Sequence, residues 1–372
     1  MYKRQDLGKD CSTAEVNPLF SDSVYIDRLS RIPAVMEMPY NDIVRKFIDM
    51  YAGRLRNQVS FMLSACNFYM PIFEEALDAY GLPLELKYLP IIESALNPSA
   101  VSRAGASGLW QFMIGTGKIY GLESNSLIDE RRDPIKATWA AARYLKEMYD
   151  IYGDWNLVIA AYNCGPGTIN KAIRRAGGET DYWKIYNLLP KETRGYVPAF
   201  IAANYVMTYY CDHNICPMET NIPASTDTVQ VTKNLHFEQI AELCNVPLEE
   251  VKSLNPQYKK QVIPGTTKPC TLRLPQGAIS TFIDKQDTIY AHRADELFRN
   301  RKTVAVKEVT PTTRRQTSAV AGKGKLTYYK IKSGDTLSSI AEKLGVRVKD
   351  IQQWNGMSNT RIAAGKQLKI YK

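Results

Sequence analysis

Residues 89–98 read Leu-Pro-Ile-Ile-Glu-Ser-Ala-Leu-Asn-Pro, and they place one carboxylate, Glu93, in an otherwise apolar run. A carboxyl group surrounded by apolar side chains is costly to ionise, so we expect its pKa to be raised. A raised pKa suits a general acid that protonates a leaving group near neutral pH. A single glutamate on a helix more often lies on a solvated face, so the neighbouring motifs must decide between these two interpretations.

Four short motifs follow one another in a fixed order: Glu93-Ser94, Gly108-Leu109-Trp110-Gln111, Ala161-Tyr162-Asn163 and a late tyrosine, Tyr196. In this order and spacing, residues 35–215 resemble the lytic transglycosylases of the goose-lysozyme-like family. The type they resemble most is the membrane-bound lytic murein transglycosylase D. The resemblance implies a mainly α-helical, lysozyme-like catalytic domain of the α+β class.

The resemblance also implies a reaction in which Glu93 works as the only carboxylate. Glu93 protonates the glycosidic oxygen between MurNAc and GlcNAc, the N-acetyl group assists, and Glu93 then takes the proton of the C6 hydroxyl. The product is a 1,6-anhydro ring. The implied role of the reaction is cell-wall remodelling. Five further residues are expected to bind the substrate or to orient the acid: Ser94, Gln111, Tyr162, Asn163 and Tyr196. Alternatively, Ser94 is a buried hydroxyl bonded to the helix backbone, and the tyrosines belong to the core.

Most glycosidases place two carboxylates about the scissile bond, and the sequence offers only one convincing candidate. Asp129, Glu130 and Asp133 stand beside Arg131 and Arg132, a pattern that indicates a solvated turn. Two other functions stay open. A lysozyme- or chitinase-like hydrolase would use a second carboxylate to activate water. A non-catalytic protein would only bind the wall.

The helix signals are consistent with a helical catalytic domain. Asn41 and Asp42 can cap one helix, residues 133–134 start a long helix that ends at Gly153, and Asp154 caps the next. Leu86, Leu89 and Glu93 are spaced as one face of a helix, with Pro90 at a bend or in the first turn. The small, glycine-rich residues 101–108 predict a loop or short hairpin that approaches a ligand.

The C-terminal third contains a repeat with an offset of one hundred residues: Ile240-Ala241-Glu242 matches Ile340-Ala341-Glu342, and Asn255 matches Asn355. Each copy predicts strand, two short helices, strand. The second copy resembles a LysM module, a family that binds N-acetylglucosamine-containing glycans. That resemblance assigns glycan binding to Gly334, Asp335, Thr336, Leu337 and Asn355. The first copy lacks the Ser-Gly-Asp-Thr-Leu turn, which leaves its glycan binding open.

The expected domain organisation follows from these motifs. It has an N-terminal extension (1–34), the catalytic domain (35–215) and a degenerate LysM-like module (226–275). A connecting segment with a flexible basic linker (276–325) and a LysM module (326–372) complete it. At 372 residues the chain is long enough for two or three domains. The linker is predicted because residues 302–325 hold few apolar groups.

Charge and cysteine content bound the partners and the compartment. The net charge is +10, and residues 299–372 carry 17 Lys or Arg against 4 Asp or Glu. This basic tail fits a polyanionic wall, and the sequence contains no nucleic-acid motif. We expect peptidoglycan as the partner, no nucleic acid, no metal or cofactor, and a monomer. The sequence shows neither a signal peptide nor an apolar run of 18 residues, so a periplasmic or envelope location, or outer-membrane association, would depend on a segment outside this chain.

Seven cysteines form a sparse and odd-numbered set. Cys211 and Cys216 fit a small disulfide loop, two free thiols or a metal pair, and the spacing alone does not choose. Cys244 and Cys270 fall in one small module and are candidates for a second disulfide. Cys164 is expected to be a small packing residue, because no histidine lies near it in the sequence.

Overall fold

The computed structural model describes residues 16–298 apart from 221 and 224, and residues 326–371 apart from 333, 334, 347, 356, 358–361, 363 and 364. The chain divides into two compact units, residues 1–309 and residues 310–372. The predicted basic linker, 302–325, and the predicted glycan-binding residue Gly334 lie outside the described residues.

The first two hundred described residues form α-helices joined by short loops and 3₁₀ turns. The helices are α1 (Asp22–Ser30), α2 (Asp42–Ala52), α3 (Arg56–Ala79), α4 (Leu89–Ser94), α5 (Ile114–Ile119), α6 (Pro134–Tyr152), α7 (Trp155–Cys164), α8 (Pro166–Arg175), α9 (Tyr182–Ile185), α10 (Lys191–Arg194) and α11 (Tyr196–Tyr209). The 3₁₀ turns are Leu84–Tyr88, Glu130–Arg132, Tyr186–Leu188 and Tyr210–His213.

The predicted helix starts are confirmed by their caps. Asn41, Asp133 and Asp154 each accept hydrogen bonds from backbone amides in the first turn of α2, α6 and α7. Such side-chain caps satisfy amides that have no partner within the helix. Gly153 ends α6 with a left-handed backbone, φ 62°.

The helical segment before Glu93 differs from the prediction. Residues Leu84–Tyr88 form a 3₁₀ helix, and α4 begins anew at Leu89 with Pro90 in its first turn. Proline is compatible with a first turn because its missing N–H would have no intrahelical partner there. Leu86 and Leu89 are both fully buried, so the apolar face was predicted correctly although the helix is interrupted.

Helix α11 forms the centre of the helical region. Eleven of its fourteen residues are buried, and it packs against α2, α4 and α7. A helix that is apolar on all sides is expected inside a core, where each face meets another element. This packing places Tyr196, the first residue of α11, beside the carboxyl end of α4 and therefore beside Glu93.

A short hairpin, residues 101–112, supplies the small β element. Ser107 forms antiparallel bridges with Val101 and with Phe112. Gly108 has φ +89°, and a Cβ atom there would lie 1.8 Å from the carbonyl oxygen of Arg131. Glycine is therefore required at this position both for the backbone conformation and for the close approach.

The first LysM-like module follows in the same unit. It contains β1 (Thr226–Val231), β2 (Asn234–His236), α12 (Phe237–Cys244), α13 (Leu248–Leu254), β3 (Val262–Pro264) and β4 (Cys270–Pro275). Strand β1 pairs antiparallel with β4, and β2 with β3. Beyond residue 275 come α14 (Gln276–Asp284), α15 (Gln286–Ala291) and α16 (Ala294–Leu297), and Phe282 and Ile289 lie in the module's core.

The smaller unit has the predicted order of strand, two helices and strand. Strand β5 (Leu326–Lys330) pairs antiparallel with β6 (Gln367–Tyr371), and α17 (Leu337–Leu344) and α18 (Val348–Trp354) lie between them in the chain. Its core includes Leu337, Ile340, Ile351 and Ile370. The α+β class with small βααβ modules is therefore confirmed.

The segment predicted as a solvated turn is buried, so that prediction was wrong. Asp129, Glu130 and Arg131 are only 2%, 5% and 5% exposed. The reason is a contact distant in sequence. The amide of Asp129 donates to the carbonyl of Gln257 (2.8 Å), which belongs to the first LysM-like module and covers the segment.

Neither disulfide considered from the spacing forms. Cys211, Cys244 and Cys270 form no disulfide, and Cys216 is disulfide-bonded but not to Cys211. Cys244 and Cys270 are buried in the first module's core, where the Cys270 thiol donates to the carbonyl of Lys268 instead of pairing. Among the described residues, no helix is long and apolar enough to cross a membrane.

Candidate active site

Glu93 opens on a cavity of about 570 Å³ in the helical region. It is the last residue but one of α4, and the two residues after that helix, Ala95 and Leu96, have φ of 51° and 60°. Left-handed backbone is uncommon outside glycine, and it turns the chain sharply away from the helix end. The turn leaves the half-buried Glu93 side chain facing the cavity.

The carboxyl group of Glu93 has a raised pKa, so part of it stays protonated near neutral pH. Burial raises its pKa from 4.5 to about 7, and the charge of Glu192 contributes in the same direction. The Tyr196 hydroxyl donates a hydrogen bond to Glu93 Oε1, which opposes part of this rise. Because burial is the larger effect, about half of the molecules carry a protonated Glu93 near pH 7.

Ser94 and Gln111 also line the cavity, and both are fixed by backbone groups. The Ser94 hydroxyl lies 3.0 Å from the carbonyl oxygens of Pro90 and Leu109, so it ties α4 to the hairpin. The Gln111 side-chain amide donates to the carbonyls of Ala100 (3.3 Å) and Gly108 (2.8 Å). The amide nitrogen is therefore engaged with the backbone, and the carbonyl end of the side chain has no such constraint.

Tyr162 and Asn163 are not among the residues that line this cavity. The Tyr162 hydroxyl donates to the carbonyl of Trp110 (2.7 Å), and Asn163 Oδ1 accepts from the Thr193 hydroxyl (2.9 Å). Both therefore hold neighbouring elements in place: Tyr162 the hairpin, Asn163 helix α10. Of the six residues predicted in this region, four line one cavity and these two do not.

The cavity has a wall that the sequence did not reveal. Helices α2 and α3, the turn between them and helix α10 contribute Phe47, Met50, Tyr51, Leu55, Gln58, Met62 and Glu192. A wall formed by helices this far from Glu93 in sequence depends on tertiary packing. Glu192 is different, because it lies in α10, which directly precedes Tyr196 in the chain.

Three other carboxylates of the helical region, including two considered from the sequence, lie elsewhere. Asp129 pairs with Arg131, Glu123 pairs with Lys268, and Asp133 caps α6. None of the three lines the cavity. The second carboxylate of the cavity is Glu192, whose side chain is exposed.

The residues assigned to glycan binding in the C-terminal module have structural contacts in the described part of that unit. Asp335 Oδ2 accepts from the Tyr329 hydroxyl (3.0 Å) and from the Lys332 amide (2.8 Å). Leu337 lies in the core. Asn355 donates to the carbonyls of Ile351 and Lys369 and accepts from the Lys369 amide, whereas the exposed Thr336 accepts from the Ser339 amide.

Three family profiles match the chain. Residues 70–185 match the transglycosylase SLT domain, residues 225–291 the LysM-like domain of lytic transglycosylase MltD, and residues 329–370 the LysM domain. These matches fall on the region of the cavity, on the first module and on the C-terminal unit.

Curated relatives agree with these profiles. The membrane-bound lytic murein transglycosylase D of Escherichia coli K12 is 30% identical over 341 residues, which cover 90% of this chain and 70% of that protein. The soluble lytic murein transglycosylase of E. coli K12 is 33% identical over 124 residues, 32% of this chain and 19% of that protein. The crystal structure of the 70 kDa soluble lytic transglycosylase of E. coli aligns over 41% of this chain and 26% of its own, at 28% identity and a TM-score of 0.34.

Proposed function

The chain belongs to the family of the membrane-bound lytic murein transglycosylase D, and from this premise we propose that it cleaves the glycan strands of peptidoglycan by lytic transglycosylation. The bond cleaved is the β-1,4 bond between MurNAc and GlcNAc, and the product carries a 1,6-anhydro-MurNAc end. The observation that carries the proposal is Glu93, a carboxyl group with its pKa raised to about 7 on the wall of a large cavity.

Glu93 acts first as the acid and then as the base. Its proton passes to the glycosidic oxygen, and the bond from that oxygen to C1 of MurNAc breaks while the N-acetyl carbonyl oxygen bonds to C1. The Glu93 carboxylate then removes the proton of the C6 hydroxyl on the same sugar, and O6 displaces the acetamido oxygen from C1. The proton is back on Glu93 and no water is consumed. Because O6 is tethered to the reacting carbon, its attack has a proximity advantage over free water.

Tyr196 and Gln111 are the groups we assign to the reacting carboxyl and the sugar. The Tyr196 hydroxyl stabilises the carboxylate that forms after proton transfer, since a hydrogen bond to a charged oxygen is stronger than one to a neutral oxygen. Gln111 offers its side-chain carbonyl to the sugar. Ser94, Tyr162 and Asn163 act through the backbone and side-chain contacts that fix the hairpin and helix α10 around Glu93.

A hydrolase remains the alternative reaction, because Glu192 lines the same cavity. A hydrolase would use a second carboxylate to activate water on the face opposite the acid. Glu192 also has an electrostatic effect that serves lytic transglycosylation, because its charge favours the protonated form of Glu93. Products of the Glu192→Gln variant separate the two roles.

The C-terminal unit supplies binding to the wall rather than chemistry. Its LysM profile and its basic neighbouring sequence both fit an insoluble, polyanionic polymer. The location proposed is the periplasm or cell envelope, with peptidoglycan strands as the partner and a monomeric state. E. coli transglycosylase D is named as membrane-bound, which agrees with an envelope location.

The test of this function compares two variants of the same cavity. Glu93→Gln should lower cleavage of purified peptidoglycan by at least about 10²-fold, the usual contribution of a general acid and base. Glu192→Gln should retain most of the activity and still produce 1,6-anhydro ends. If Glu93→Gln keeps activity within about threefold of the wild-type chain, Glu93 is not the acid.

A further inference from the structure

The first LysM-like module binds the catalytic region through residues 127–129. The amide of Asp129 donates to the carbonyl of Gln257, and the amide of Lys259 donates to the carbonyl of Leu127, both at 2.8 Å. Ile128 forms an antiparallel bridge with Tyr258 between them. Residues 127–129 and 257–259 thus form one short antiparallel bridge, which lies outside the named strands of the module.

Side chains extend this contact. Leu127 and Ile128 are 4% and 3% exposed, and both belong to the module's apolar core. Lys268 of the module forms ion pairs with Glu123 and with Glu130, the second at 3.5 Å. The module is therefore joined to the catalytic region by backbone, apolar and charged contacts at once.

The next residues connect this contact to the hairpin. Arg131 binds the Asp129 carboxylate through two parallel hydrogen bonds, at 2.8 Å and 2.7 Å. Its remaining terminal nitrogen donates to the carbonyls of Gly105 (2.8 Å) and Phe112 (2.9 Å), at the two sides of the hairpin. Only a guanidinium presents donors in a planar fork that meets all these acceptors.

The hairpin in turn borders the cavity. Gln111 lines it, the carbonyl of Leu109 meets the Ser94 hydroxyl beside Glu93, and the carbonyl of Trp110 accepts from Tyr162. An unbroken series of hydrogen bonds therefore runs from Gln257 in the module, through Asp129 and Arg131, to the wall that carries Gln111.

Asn255 and Asn355 make matching hydrogen bonds in the two modules. Asn255 donates to the carbonyls of Val251 and Arg273 and accepts from the Arg273 amide. Asn355 makes the same three bonds with Ile351 and Lys369. Asn355 is one of the residues assigned to glycan, and its equivalent in the first module, Asn255, stands just before the contact residues 257–259.

We propose that the first LysM-like module is a brace for the active site instead of a glycan-binding module, and that Asp129 and Arg131 are positioning residues that transmit its support to the hairpin. The residues that follow Asn255, 257–259, are hydrogen-bonded to residues 127–129. The activity measurements below rest on the proposed function, whereas the exchange measurement does not.

The experiment uses the full chain with two variants of the contact. Ile128→Ala removes apolar contact with the module, and Lys268→Glu places like charges against Glu123 and Glu130. Lys252→Glu is the matched control, because Lys252 pairs with Glu249 within the module. Three quantities are measured: hydrogen exchange of amides 105–112, kcat and KM on short soluble muropeptide chains, and co-sedimentation of the Glu93→Gln form with insoluble peptidoglycan.

If the module supports the hairpin, each contact variant should show at least about fivefold faster exchange of the hairpin amides and a similar loss of kcat. KM and co-sedimentation should stay within twofold of wild type. Adding Glu123→Lys to Lys268→Glu should restore the wild-type exchange rate and kcat. Lys252→Glu should change neither of these two quantities. If Ile128→Ala does not fold, Lys268→Glu carries the test.

The proposal is overturned if no folded contact variant changes hairpin exchange, or if co-sedimentation falls while soluble cleavage stays unchanged. A wild-type chain that cleaves no peptidoglycan would refute the proposed function. Hydrogen exchange of the hairpin amides would still show whether the module supports the hairpin.

Discussion

Replacing Glu93 by Gln should make the protein more stable at alkaline pH, even though it destroys the proposed activity. Burial raises the pKa of Glu93 from 4.5 to about 7. In the folded state the group therefore keeps its proton between these two values, whereas in the unfolded chain it does not. The folded state binds more protons in this window, so stability must fall as pH rises through it.

The magnitude follows from the two pKa values. Their difference corresponds to about 3 kcal/mol of unfolding free energy, lost between pH 4.5 and pH 7 and absent thereafter. This is an upper value, because Glu93 is only half-buried and faces a cavity. Glutamine has the same shape, stays neutral, and still accepts the hydrogen bond of Tyr196. Glu93→Gln should thus match the wild-type chain at pH 4 and exceed it by up to about 3 kcal/mol at pH 8.

Urea denaturation at the two pH values measures the effect. Tryptophan fluorescence reports chiefly on the catalytic region, which contains four of the five tryptophans. Glu192→Gln is the control, because it removes an exposed carboxylate of the same cavity and keeps Glu93, so its pH profile should stay close to that of the wild-type chain. If the unfolding free energies of wild type and Glu93→Gln change in parallel with pH, the pKa of Glu93 is not raised. Glu93 would then not be protonated near neutral pH.

Three further predictions concern pH, the hairpin and the C-terminal unit. With the wild-type chain, kcat/KM on short soluble muropeptides should fall as pH rises above about 7, since the acid form of Glu93 is lost; a flat profile to pH 9 would contradict this. Gly108→Ala should destabilise the chain by at least about 2 kcal/mol in thermal or urea unfolding, because its Cβ would meet the carbonyl of Arg131. Gly121→Ala shares the positive φ but has open space, so an equal loss there would show that the contact is unimportant. Deleting residues 325–372 should weaken co-sedimentation with wall about tenfold and spare soluble cleavage, and unchanged co-sedimentation would count against a binding role.

Local chemistry in the sequence was enough to place the helix starts and the hairpin. Asn41, Asp133 and Asp154 cap helices because their side chains reach amides two or three residues away, a contact that depends on nothing distant. The family motifs likewise predicted that Glu93 and Tyr196, 103 residues apart, would meet, and their side chains are hydrogen-bonded.

What the sequence did not reveal depends on contacts distant along the chain. Residues 129–131 carry charges in succession, and such a pattern usually indicates solvent exposure. Their burial follows from a module that begins nearly a hundred residues later and covers them. The apolar wall from α2 and α3 was missed for the same reason, because the residues that form it precede Glu93 by some thirty residues or more and reach the cavity only through tertiary packing.

Digestion of purified peptidoglycan in ¹⁸O-labelled water, followed by mass spectrometry of the products, tests the central claim most directly. If Glu93 delivers the C6 hydroxyl of MurNAc to C1, the new ends carry no label and are lighter by one water than hydrolytic products. Incorporation of ¹⁸O into most new ends would show that water is the nucleophile. The chain would then be a hydrolase, with Glu192 as the carboxylate to examine as its base.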